Sequence, residues 1–326
     1  MAIDIQKIRS DFPILSSEVN GHPLTYLDNA ATTQKPQSVI DAITRYYTTY
    51  NSNIHRGAHH LSSLATEAHE SGRRTVQHYI NAEHEHEIIF TRGTTEAINL
   101  VAFAFGEAFV NPGDEVIVTQ MDHHSNFVPW QMMCERRQAH FRVIPFDENG
   151  ELQLDVYKNL LTEKTRIIAF NHVSNSLGTI NPAKKMIDMA HEAGAAVLVD
   201  AAQSVQHIAH DVRALDADFY AFSGHKMYGP TGIGVLYGKE RWLDAMPPYQ
   251  SGGEMIDLVT AEKTTYNKLP FKFEAGTPNI VGPIGLAAAI DYLNVQSFKD
   301  IQTHEDQLLA YGRERLLEIE GLKIYG

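Results

Sequence analysis

The chain predicts an α/β protein: a mostly parallel, seven-stranded mixed sheet with crossover helices on both faces. Two observations carry this. From about residue 88 to 240, short runs rich in Val and Ile alternate with helix-length segments, the rhythm of repeated strand–helix–strand units. Near the end of that region two strand-like runs follow each other with no helix between them, which suggests an antiparallel pair in a mixed sheet.

The elements read as follows. Glu87–Thr91 is a short strand, and Thr95–Phe109 is a helix apolar nearly all round, hence deeply buried. Asn111-Pro112-Gly113-Asp114 is a turn. Glu115–Thr119 is a strand, Phe127–Gln138 a helix, His140–Pro145 a strand, Leu154–Leu161 a helix and Thr165–Asn171 a strand. Asn181-Pro182 caps and opens a helix that Gly194 closes, and the strand Ala196–Asp200 follows. Phe219–Phe222 and Ile233–Tyr237 form the antiparallel pair, and Pro283–Val295 and Phe298–Glu318 are helices. Residues 1–25 read as an arm belonging to a small domain, 26–280 as the large domain, and 281–326 as an incomplete small domain of mixed α and β structure. Leu322–Tyr325 reads as the start of a strand with nothing to pair with, which predicts truncation.

Bulk properties exclude several function classes. Across 326 residues, 27 Lys and Arg against 40 Asp and Glu leave a net charge of −13. That argues against nonspecific binding to nucleic acid or an anionic membrane. The N-terminus has no secretory signature, and no apolar stretch approaches the roughly 20 residues that cross a bilayer. One cysteine, Cys134, cannot form an intramolecular disulfide, and a cytoplasmic protein is expected.

The chemistry concentrates at strand ends, where open α/β sheets place their sites. Asp200 closes the run AAVLVDAAQS, and Lys226 lies in the turn of AFSGHKMYGPTGIG after the next strand. An amine beside a fixed carboxylate is what pyridoxal 5'-phosphate needs: a Schiff-base lysine and an acidic partner for its ring nitrogen. Ser223 and His225 flank the lysine as phosphate donors. Thr94 and Thr95, in TRGTTEAIN, sit at a helix start after a strand, where free N–H groups and the helix dipole suit a phosphate, although the same pattern also serves ordinary capping. His123 follows the Glu115–Thr119 strand and can stack on a ring and move protons; a loop histidine bonded to backbone is its plainer reading. Asn175 reads either as a donor to substrate or cofactor or as a turn residue, and Gln203 as a ligand of the ring oxygen or a helix-surface amide.

The 17 histidines, His55, His59 and His60 among them, follow no common zinc spacing, so no metal site is expected. Cys134, mid-helix among Trp and Met, reads as packing.

LDNAATTQKP, NIHRGAHHLS, TRGTTEAINLVA, DHHSNFVPWQ, HVSNSLGTINP, VDAAQSVQH, FSGHKMYGPTGIGVLYG and FEAGTPN together resemble the cysteine desulfurases, most closely the Suf-type branch shared with selenocysteine lyases. That branch belongs to the class V aminotransferases of pyridoxal-phosphate fold type I. The resemblance implies conversion of L-cysteine to L-alanine, with persulfide sulfur passed to iron–sulfur cluster assembly through an acceptor protein, and action on L-selenocysteine as well. It implies a homodimer with its sites at the subunit interface. Lys226 would bind the cofactor aldehyde, Asp200 the ring nitrogen, Gln203 the ring oxygen, and His123 would stack on the ring. Thr95, Ser223 and His225 would hold the phosphate with Thr94 backbone help, and Thr277 would reach the partner's phosphate. Ala30, His55, Arg56 and Asn175 would line the substrate side. The family's sulfur-accepting cysteine and carboxylate-binding arginine lie beyond Gly326, so the alternative is a noncatalytic chain that binds cofactor or docks a partner.

Overall fold

The structure is a computed structural model that describes residues 4–325. Seven strands form the central sheet: β1 Ile88–Thr91, β2 Glu115–Thr119, β3 His140–Ile144, β4 Thr165–Asn171, β5 Ala196–Asp200, β6 Phe219–Ser223 and β7 Gly234–Gly238. Their order across the sheet is β1-β7-β6-β5-β4-β2-β3. β7 runs antiparallel to both β1 and β6, and the other neighbours are parallel.

The strand sequences explain this arrangement. β2, β5, β6 and β7 are buried along their whole length, which is why they read as unbroken apolar runs. β3 lies at an edge and exposes alternate polar positions such as His140 and Arg142. Successive residues of one strand face opposite layers. Ile117, Ile168, Val197, Val199 and Tyr220 pack on one side with residues of helices α2 (His60–Tyr79), α6 (Ala183–Glu192) and α7 (Val281–Asn294). Val116, Val118, Ala169, Leu198 and Ala221 pack on the other with α3 (Thr94–Phe109) and α4 (Val128–Arg137). The largely apolar α3 is accordingly sunk in the second layer.

Two differences from the sequence reading stand out. Residues 322–325 form no strand; four residues without a partner ladder stay irregular. The twenty-residue α2 was not anticipated. It buries His69 and Arg73 beside Ala65, Gly72 and Val76, so its inner face does not look apolar in sequence. Arg73 is held there by a bidentate pair with Glu274 (2.7 and 2.9 Å), by Glu70 at 2.9 Å and by the Ile88 carbonyl at 2.7 Å.

The parallel strands bring their carboxyl ends to one edge. Asn171 pairs with Asp200, and Asp200 with Ala221, two residues before Ser223. β1 ends on the same side, because Thr91 and Ser223 both pair with Gly234.

Candidate active site

A cavity of about 500 Å³ opens at this edge. Asp200 and Lys226 both line it, together with Thr94, Thr95, Ser223 and His225. His123, Asn175, Gln203 and Ala30 complete the set of expected residues found on its walls. His55, Arg56 and Thr277 lie elsewhere. His55 Nε2 meets Glu70 at 2.9 Å, and Arg56 Nε pairs with Glu254 at 2.6 Å. Thr277 lines a second cavity of about 380 Å³ with Arg92, Glu96 and Asn279.

Each wall residue is placed by a specific local cause. Asp200 is buried at the end of β5, where one carboxylate oxygen accepts from the Ala202 N–H at 3.0 Å. Burial pushes its pKa up to about 6, against the pull of that N–H and of the Lys226 charge. Lys226 ends a single 3₁₀ turn, Gly224–Lys226, that continues β6. Its amine is lowered by burial, while Asp200 acts in the opposite direction. His123 Nδ1 meets the Ser125 N–H at 3.1 Å and the Ser125 hydroxyl at 2.8 Å. Accepting that N–H puts the ring proton on Nε2. Burial, with Lys226 and His124 adding to it, lowers the His123 pKa, so the ring is neutral at pH 7.

Thr94 and Ser223 form a unit. Thr94, at the start of α3, donates its N–H to Ser223 Oγ at 2.8 Å, and the two hydroxyls lie 2.7 Å apart. His225 is held neutral by burial and by the Lys226 and Lys35 charges.

Gln203 is partly committed: one of its two Nε2 N–H groups goes to the Ala30 carbonyl at 2.8 Å, which leaves the second N–H as a donor and Oε1 as an acceptor. The sequence reading also passed over Asp122, which is buried behind His123. It accepts from the Thr119 N–H and the Asn171 N–H, each at 2.7 Å, and from Asn126 Nδ2 at 3.1 Å. It thereby locks the ends of β2 and β4 around the His123 loop. Its only sequence signal is the Asp before His-His-Ser-Asn.

The donor set fits pyridoxal phosphate. A buried carboxylate with one oxygen free of protein donors among the described residues suits a protonated ring nitrogen, and a desolvated amine suits an aldehyde. Hydroxyls and N–H groups at the start of a sixteen-residue helix suit a phosphate. No cluster of metal-ligating side chains occurs among the described residues.

Residues 25–326 match the family Aminotransferase class-V. A cysteine desulfurase of Synechococcus elongatus is 52% identical over the whole chain, which spans 52% of that protein. A cysteine desulfurase of Escherichia coli O7:K1 is 52% identical, with 100% of this chain and 80% of the relative covered. A probable cysteine desulfurase of Halalkalibacterium halodurans is 50% identical, with 99% of this chain and 80% of the relative covered. Among solved structures, the apo cysteine desulfurase of Thermococcus onnurineus NA1 superposes with a TM-score of 0.91 at 38% identity, covering 100% of this chain and 82% of that one. An Escherichia coli cysteine desulfurase in an S-sulfonic acid form gives 0.90 at 38% identity, covering 98% and 79%.

Proposed function

The chain belongs to the cysteine desulfurase family of class V aminotransferases, and from that premise we propose that it uses pyridoxal phosphate to convert L-cysteine to L-alanine, passing the sulfur to a thiol. The observation that carries the reading is the convergence of Lys226, Asp200 and neutral His123 on one cavity at the strand ends.

When bound, the cofactor supplies an electron sink at the substrate Cα. Lys226 Nζ would hold the cofactor and then, as a released amine whose pKa burial lowers, take the Cα proton. Asp200 would hold a proton on the cofactor ring nitrogen; beside that cation its carboxylate is charged. His123 Nε2–H lies on the cavity wall, where it can lend and recover a proton. Thr94, Thr95, Ser223 and His225 would bind the phosphate, and Asn175 and Ala30 would face the substrate. We assign Gln203 to the ring oxygen side, where its second Nε2 N–H would donate to that oxygen.

Sulfur leaves by attack of a thiol on the substrate sulfur, giving alanine and a persulfide: cysteine plus RSH yields alanine plus RSSH. Cys134 does not suit that role. It is buried in α4, and burial pushes its thiol up to about 12. The thiol is therefore supplied from outside the described residues. The proposal extends to a homodimer, because Thr277, His55 and Arg56 act at a cofactor site only if a second copy brings them to it. It extends also to a sulfur-acceptor protein, to iron–sulfur cluster assembly in the cytoplasm and to action on L-selenocysteine. No helix among the described residues is long and apolar enough to cross a membrane.

Incubation with L-cysteine, pyridoxal phosphate and dithiothreitol should release alanine and sulfide in equal amounts. Cofactor binding without alanine would instead support a noncatalytic chain.

A further inference from the structure

The segment of residues 26–35 belongs to no strand of the sheet, yet it is tied tightly to the turn that carries Lys226. Thr33, 6% exposed, donates both its N–H (3.0 Å) and its hydroxyl (3.1 Å) to the His225 carbonyl. The same hydroxyl oxygen accepts from the Tyr228 N–H at 2.8 Å. Thr33 thus brackets Lys226, from the carbonyl before it to the amide two residues after it. The Thr32 hydroxyl (3.1 Å) and Lys35 Nζ (3.0 Å) reach the same carbonyl. Lys35 Nζ also donates to the Thr33 carbonyl at 2.5 Å.

Two features make this more than ordinary loop packing. Tyr228 has φ of +67°, a left-handed conformation that is unfavourable for a non-glycine residue and persists only where its surroundings enforce it. The Thr33 hydroxyl grips that residue's N–H. Lys35 meanwhile has no carboxylate within ion-pair distance among the described residues, and burial pushes its amine down to about 8. A half-buried cation without a counter-ion is unfavourable unless its donors are used. Here they are spent on the two carbonyls that join the segment to the Lys226 turn.

Resting on the cofactor reading above, we propose that Thr33 and Lys35 are positioning residues: they clamp the strained His225–Tyr228 turn so that Lys226 Nζ is delivered into the cavity. Ala30, in the same segment, holds Gln203 by the contact already described, so the strap grips both flanks of the site.

The test uses the full chain with pyridoxal phosphate and the variants Thr33→Val, Lys35→Met and Lys35→Arg. Three quantities are measured: cofactor affinity, the pH midpoint of the visible absorption of the lysine-bound cofactor, and the melt of the cofactor-free protein. Thr33→Val loses the hydroxyl's bonds to the His225 carbonyl and the Tyr228 N–H, which predicts roughly tenfold weaker binding and a displaced midpoint. Lys35→Met should move the midpoint in the same direction, and Lys35→Arg, which keeps the charge and the donors, should restore most of it. Lower melts with wild-type affinity and midpoint would overturn the proposal by reducing the strap to a structural role. If Thr33→Val does not fold, the Lys35 pair decides alone, since rescue by arginine supports the proposal and an unchanged Lys35→Met refutes it. A wild-type chain that forms no lysine-bound band would overturn the cofactor reading itself, a result distinct from unaltered variants.

Discussion

Gly234 offers a direct test of how the sheet builds the wall of the cavity that carries Thr94 and Ser223. It sits between Thr91 of β1 and Ser223 of β6. A Cβ added there would lie 2.4 Å from Gly93 Cα, 2.7 Å from Gly93 C and 2.8 Å from Gly93 N. All three are backbone atoms, so no side chain can swing aside. Ordinary contact begins at 3.4 Å. Gly234→Ala must therefore push the Gly93–Thr94 turn back by about 1 Å, at the about 1–3 kcal/mol typical of overpacking. That turn starts α3 and carries the Thr94–Ser223 bonds of 2.8 and 2.7 Å, and losing both costs about 1–3 kcal/mol, roughly tenfold in cofactor affinity. Urea melts and a cofactor titration read the two effects. Gly312→Ala is the control, since it has open space around it in α8 (Phe298–Leu317) and should be neutral or stabilising by up to about 1 kcal/mol. Gly234→Ala binding cofactor within twofold of wild type and melting within about 0.5 kcal/mol would refute the claim that Gly234 sets this geometry.

Three further predictions concern other parts of the molecule. Asp200 has its pKa raised to about 6 from an ordinary 3.8, so its contribution to apo stability is fully present below about pH 4 and lost as pH rises through 6. Relative to Asp200→Asn, the cofactor-free wild type should lose about 3 kcal/mol between pH 4 and 7.5, and bound cofactor should abolish the loss; a flat difference in pH-dependent melts would contradict this. Glu274→Ala removes the bidentate partner of the buried Arg73, leaving it Glu70 and the Ile88 carbonyl, and should destabilise by about 1.5–3 kcal/mol in urea melts, whereas a change under about 0.5 kcal/mol would deny the pair its structural role. Cys134→Ala should leave alanine formation with dithiothreitol unchanged, and loss of turnover in a protein that still melts cooperatively would show that this thiol receives sulfur after all.

The parts legible in the sequence are those decided by local burial. Glu115–Thr119, Thr165–Asn171 and Ala196–Asp200 coincide with β2, β4 and β5 because each is an apolar run fixed by layers on both faces. The candidate residues that end or follow such strands, His123, Asp200 and Lys226, line one cavity for the same reason. α2 escaped because its buried face carries His69 and Arg73, whose partner Glu274 is remote in sequence. Thr33 and Lys35 were visible only as part of a motif; their role depends on a carbonyl roughly 190 residues away. Asp122 likewise shows its purpose only once β2 and β4 lie side by side.

The account depends on Lys226 being the amine that takes the cofactor. Borohydride reduction of the chain loaded with pyridoxal phosphate, followed by peptide mass mapping, should place the reduced adduct on Lys226 alone and leave Lys226→Ala unlabelled. An adduct on Lys35 or any other lysine, or none at all, would contradict it.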